Sequence, residues 1–138
     1  MQPQPEHTPT SEPEWFQALT ELARFLRSPD GCPWDREQQA TDFARYAAEE
    51  AAELLEAFEH GNNEKVREEW GDVFFVLLAT AIAAEQEGRF VLKDALARAH
   101  EKMLRRHEHV FGENKAGSPE EAIARWNAIK AQERNNAL

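Results

Sequence analysis

Cysteine is almost absent. Cys32 stands alone, so no disulfide can close within the chain and the fold must rest on its apolar core. Basic residues are also short: sixteen Lys and Arg face twenty-six Asp and Glu, for a formal net charge of -10 at pH 7. That sign opposes non-specific attachment to DNA, RNA or an anionic membrane, and a phosphate-bearing ligand would need metal ions or a local basic patch. No apolar run reaches the length of a membrane span, and no apolar signal region marks the N-terminus. A P-loop and a Gly-rich dinucleotide fingerprint are both missing. Strand alternation and hairpin dipeptides between apolar runs are missing too. The expectation left is a soluble cytoplasmic protein, all-α, with no nucleic-acid or membrane partner.

What is present supports a real core: 138 residues with four Trp and eight Phe. Residues 1–10 are proline-rich and polar and read as a disordered tail, with one domain over 11–138. Ser11 with Glu14 forms a capping box for a helix to about Arg27, its core face carrying Phe16, Leu19, Leu22, Phe25 and Leu26. The segment SPDGCPWD, residues 28–35, predicts an ordered loop. A second helix is expected from about Thr41 to His60, stopped by Gly61, and a third from Asn62 or Asn63 to about Gln86, with Gly88 just beyond. A fourth covers about 92–109, and Ser118-Pro119-Glu120-Glu121 opens a last one to about Arg134. The sum is a bundle of about five helices with short connections.

The chemistry lies in two acidic clusters, Glu49-Glu50-Glu53 and Glu68-Glu69-Asp72, on the second and third helices. Phe43, Ala47, Ala51, Leu54, Leu55 and Phe58 form an apolar arc on one; Val66, Trp70, Val73, Phe74, Leu77 and Ala81 form an arc on the other. Glu50 stands at the border of the first arc with Glu53 roughly 60° further round, and Glu69 and Asp72 fall at the same angular offset from the second. If the two helices make an antiparallel hairpin about Asn62, all four carboxylates fall within an axial span of roughly 7 to 8 Å. Acids so close repel unless a cation lies between them. Acids at i,i+3 on one helix are commonly solvated; the third helix, apolar almost all round beyond Asp72, is expected to be buried and to carry its acids inward. Carboxylate-only sites suit Mg2+ or Mn2+, and no histidine has a Glu three residues before it, which disfavours a di-iron centre.

The pattern Glu49-Glu50-x-x-Glu53 followed by Glu69-x-x-Asp72 resembles the motif of the all-α nucleoside triphosphate pyrophosphohydrolases, and the flanking blocks are similar to the MazG branch. Those blocks are Gly31-Cys32-Pro33-Trp34-Asp35, Glu87-Gly88-Arg89-Phe90, Lys102-x-x-Arg105-Arg106-His107-x-His109-Val110-Phe111 and Trp126-x-x-x-Lys130. The resemblance covers about residues 16–134. It implies hydrolysis of a nucleoside triphosphate between the α- and β-phosphorus, giving monophosphate and pyrophosphate. It also implies Mg2+, with Mn2+ as a substitute, at Glu50, Glu53, Glu69 and Asp72, and dimers or dimers of dimers. By the same match Lys102, Arg106, Trp126 and Lys130 bind nucleotide, with Trp34 a loop anchor first and a base contact second. Glu49 or Glu50 is the candidate base; Glu49 points away from the main apolar arc and would need a further packed face or subunit to act.

Each of these residues also has a plainer role. Lys102 and Arg106 share a helical stripe where positive charge complements a helix C-terminus. Trp126, with Ile123 and Ile129, has core spacing. Cys32 reads as a small filler and His100, His107 and His109 as surface or packing residues. Ala52 stands where many relatives carry a bulky side chain, and His100 where some carry Asn; both bear on base or sugar preference. The alternatives are a relative acting on dUTP or phosphoribosyl-ATP, and a non-enzymatic helical interaction module. The apolar residues on nearly every side of the hairpin exceed what a small monomer covers, so at least a homodimer is expected.

Overall fold

The computed structural model describes residues 7–137, so most of the expected N-terminal tail lies outside the described residues. Among the described residues there are seven helices and no strand. The chain divides between Leu92 and Lys93 into two compact units.

In the first unit α1 spans Glu12–Leu26, α2 Pro33–Glu37, α3 Ala40–His60 and α4 Asn63–Gln86. Ser11 caps α1 by accepting from the Glu14 N–H at 3.3 Å while its hydroxyl donates to the Glu14 carboxylate at 3.1 Å. The segment expected as a loop runs into the short α2 from Pro33 and is tightly held. A Cβ on Gly31 would meet the carbonyl oxygen of Phe25 at 2.2 Å, so only glycine lets the chain pass the end of α1. Arg27 donates to the carbonyls of Asp35 and Gln38 at 2.5 and 2.9 Å, closing the loop from beneath.

At the start of α3 the Gln39 N–H donates to the Asp42 carboxylate at 2.9 Å. Gly61 ends that helix, and Asn62 starts the next by accepting from the Lys65 N–H at 2.9 Å. The helix–turn–helix expected about Asn62 is therefore present, with caps on both sides of a two-residue turn. Gly88, at φ +75, ends α4 in the left-handed region, and the Arg89 N–H returns to the Ala84 carbonyl at 3.0 Å.

The core has two parts on two faces of α4. Ala79, Ala83 and Ala84 pack against Ala40 and Phe43 of α3, with Val76 beside them. Leu78 and Ile82 pack against Ala23 of α1, with Phe16, Leu19, Phe74, Phe75 and Leu92 around them. The expectation that α4 is buried beyond Asp72 holds from Leu78 to Ala84 only. Trp70 is 56% exposed and Leu77 52%, and on α3 Leu55 and Phe58 also face outward. No described helix is long and apolar enough to cross a membrane.

In the second unit the single helix expected over 92–109 breaks at His107, whose backbone (φ -105, ψ 33) leaves the helical region. The result is α5, Leu92–Arg106, and α6, Glu108–Phe111, followed by α7, Pro119–Asn136, with Ser118 capping the last through the Glu121 N–H at 3.2 Å. α6 packs on α7. Arg105 and Arg106 of α5 both reach Glu133 of α7.

Ile82 is 1% exposed, so Ile82→Ala is expected to lower unfolding free energy by about 2–5 kcal/mol in chemical denaturation. Glu85 accepts from the half-exposed Arg24 and from the Leu92 N–H at 2.7 Å, and these contacts hold its carboxyl below its ordinary pKa, Arg24 first. A carboxyl depressed on folding contributes stability that is present above its ordinary pKa and lost as pH falls through the folded value. Glu85→Gln should therefore cost about 1 kcal/mol at neutral pH, and the difference from wild type should close below pH ~4.

Candidate functional site

The hairpin brings Glu50 of α3 together with Glu69 and Asp72 of α4: each offers a carboxylate oxygen, and these oxygens lie within 4.8 Å of one another. The environments are graded. Glu69 is 5% exposed, Glu50 is half-buried and Asp72 is exposed. At that distance two like charges repel by about 3 kcal/mol at an effective dielectric near 20. The strain is visible at Glu50, whose carboxyl is pushed above its ordinary pKa, first by burial and then by the charges of Glu53 and Asp72. A hydrogen bond with Glu53 and the charge of Glu69 add to the same direction.

Glu53 is thus placed beside Glu50 rather than within the converging trio. It is exposed and lines a cleft of about 390 Å3 with Glu56, His60, Lys65 and Glu69. Glu49 is exposed on α3, outside the cluster, as its angular position predicts.

Two carboxylate oxygens, Glu50 Oε2 and Glu69 Oε2, are buried without a hydrogen-bond partner among the described residues. A buried anionic oxygen left so costs several kcal/mol unless a cation completes it. Oxygens sharing an octahedral Mg2+ at ~2.1 Å lie ~3.0 Å apart when cis and ~4.2 Å apart when trans, so the trio would draw in by side-chain movement to share one ion. All donors are hard oxygens, and the residues present fit a small divalent cation.

One contact escaped the sequence reading. Lys65 Nζ lies 2.9 Å from Glu69 Oε1 and 4.0 Å from Glu68 Oε2. The spacing Lys-x-x-x-Glu on one helix was the available signal.

Trp34, 50% exposed, sits with its ring edge-on to Phe43 at 6.1 Å and tilted over Tyr46 at 5.8 Å, an anchored loop residue with an open side. Within the second unit Lys102 is exposed and Lys130 half-buried. Arg106 lies over the Trp126 ring, 5.2 Å from its centre, and donates through Nε and Nη2 to Glu133 at 3.1 and 3.0 Å. His107 meets the same indole edge-on at 5.2 Å and is held through Nδ1 by the Met103 carbonyl at 2.6 Å. Glu133, whose carboxyl is held below its ordinary pKa first by Arg106, had no local signal, because its partners are 27 and 28 residues away in sequence.

Residues 38–111 match the MazG nucleotide pyrophosphohydrolase domain. The nucleoside triphosphate pyrophosphohydrolase/pyrophosphatase MazG of Thermotoga maritima is 40% identical over 119 residues, covering 86% of this chain and 45% of that protein. The nucleoside triphosphate pyrophosphohydrolase of Escherichia coli K12 is 40% identical over 117 residues, covering 84% of this chain and 44% of that protein. The chain thus spans less than half the length of these curated relatives. In structure it is similar to a MazG-related protein from Thermotoga maritima, at a TM-score of 0.71 and 30% identity, over 83% of this chain and 98% of that one. A helical hairpin with converging carboxylates, carried on a sequence matched over more than half its length, belongs to the MazG nucleotide pyrophosphohydrolase domain family.

Proposed function

We propose that this chain hydrolyses nucleoside triphosphates to monophosphate and pyrophosphate in a Mg2+-dependent reaction that clears non-standard or excess nucleotides in the cytoplasm. The observation that carries this reading is the trio Glu50, Glu69 and Asp72, with two buried oxygens that have no donor. In the proposal these three residues hold the metal, and Glu53, whose charge bears on Glu50, completes or supports the set. Bound Mg2+ would supply charge neutralisation for the polyphosphate and a lowered pKa for an attacking water.

The remaining work falls to the chain's own groups. A carboxylate accepts the proton of the attacking water, and Glu49 and Glu50 are the candidates. Glu50 is committed to the cluster, whereas Glu49 is exposed and unencumbered, so the two roles separate by variant. Lys102, Arg106, Trp126 and Lys130 are proposed to bind nucleotide on the motif match, and Trp34 to offer its open face to a base. Stacking on such a ring tolerates many bases.

The proposed oligomer is a homodimer or a dimer of dimers. Leu55, Phe58, Trp70 and Leu77 are each more than half exposed, and so much large apolar surface on one hairpin favours a partner face of the same kind.

Incubating the protein with separate ribo- and deoxyribonucleoside triphosphates and Mg2+ should release pyrophosphate and monophosphate, resolved by chromatography, and chelation should abolish it. Glu50→Gln is expected to lose turnover and metal binding together, by more than the 10–100-fold typical of an outer-shell change. Glu49→Gln should lose turnover with metal affinity kept if Glu49 is the base. Folded, metal-loaded protein that turns over no nucleotide would favour the helical interaction module instead. Sedimentation should give at least twice the 15.8 kDa chain mass, and Phe58→Asp with Trp70→Asp should shift it toward monomer; a wild-type monomer would exclude the oligomer.

A further inference from the structure

The two oxygens of Glu69 are treated differently. Oε1 lies 2.9 Å from the ammonium of Lys65, while Oε2 is buried with no partner. The carboxylate itself is almost fully enclosed, and Lys65, about half exposed, is the cation that ion-pairs with it among the described residues.

Helix stability gives no reason for a lysine at this position. Lys65 lies in the first turn of α4, where its own N–H is the one that Asn62 caps. Positive charge there opposes the helix dipole, and Lys placed N-terminal to Glu at i,i+4 is the poorer of the two orientations. What favours it is local: a carboxylate this deeply buried needs a polar partner to hold it in place, and Lys65 supplies one.

We propose that Lys65 is a positioning residue of the carboxylate centre, holding Glu69 by Oε1 so that Oε2 is presented in a single orientation to a divalent cation. This rests on the metal-centre reading above. It predicts a sign opposite to simple electrostatics: a nearby ammonium should repel a cation, so its removal should tighten binding, whereas loss of a group that orients a ligand weakens binding by 10–100-fold.

The test is Mn2+ binding to the nucleotide-free protein by electron paramagnetic resonance, with Mg2+ competition, for wild type, Lys65→Met, Lys65→Arg, Glu69→Gln and the Lys65→Met/Glu69→Gln pair. Lys65→Met is expected to weaken Mn2+ binding about 10–100-fold and Lys65→Arg to restore most of it. In the Glu69→Gln background the removal of Lys65 should change affinity by no more than about twofold, because the positioned group is gone. That comparison also serves if Lys65→Met alone does not fold, since the double variant buries no unpaired charge. Unchanged or tighter Mn2+ binding in Lys65→Met, or a further tenfold loss from removing Lys65 in the Glu69→Gln background, would overturn the proposal while leaving the metal centre intact. Absence of saturable Mn2+ binding by wild type, or its persistence in Glu50→Gln, would overturn the metal centre itself.

Discussion

Mutual repulsion among carboxylates is the constraint around which the first unit is built. Glu50, Glu69 and Asp72 come together because α3 and α4 are locked antiparallel, and nothing in the acids themselves favours that approach. The locking lies away from them. Ala79, Ala83 and Ala84 present small side chains to Ala40 and Phe43, and Leu78 and Ile82 bind α4 to α1. Each large apolar side chain buried there contributes about 1.5–3 kcal/mol, the scale of one carboxylate pair's repulsion, so a handful offsets the cluster. The helix that carries the charge is thus held by its other half.

Charge within the cluster is not shared evenly, and the gradation has a chemical use. Glu69 is deepest and has Lys65; Glu50 is half-buried, has no ion-pair partner among the described residues, and shows the raised pKa; Asp72 and Glu53 keep solvent. A site with every acid buried would protonate, and one with every acid exposed would stay ionised but loosely oriented. One fixed carboxylate, one strained carboxylate and two solvated ones give a cluster that is partly ordered yet still holds net negative charge for a cation to neutralise.

Much of this was legible in the sequence because it follows from short-range rules. Capping at Ser11, Asn62 and Ser118, the stop at Gly88 and the 3.6-residue periodicity of α3 and α4 are local, and the axial match of the acids about Asn62 follows from helical rise. Three features were not legible. The short α2 depends on Arg27 reaching carbonyls 8 and 11 residues on, a tertiary tie with no motif. The break at His107 interrupts an amphipathic pattern with neither glycine nor proline, so periodicity alone carries the helix through. The exposure of Trp70 and Leu77 could not be separated from burial by hydrophobicity, since an apolar face toward a core and one toward another subunit have the same pattern.

The second unit treats its charge in the reverse manner. There the basic residue is paired and the pairing orients it. Arg106 is only 14% exposed; its Nε and Nη2 edge is fixed on Glu133 and its face rests over Trp126, while Nη1 has no protein partner among the described residues. A free lysine on the same helix would retain its positive charge but lose rotational freedom about several bonds on meeting an anion. A guanidinium already fixed along one edge and one face has little rotamer freedom left to lose, and presents its remaining N–H groups in a set direction. For a ligand carrying several anionic oxygens, direction matters more than an additional mobile charge. The ion pair with Glu133, which lowers the net charge of the patch, is therefore compatible with the nucleotide-binding role proposed for Arg106, and the indole against its planar face helps hold it in place.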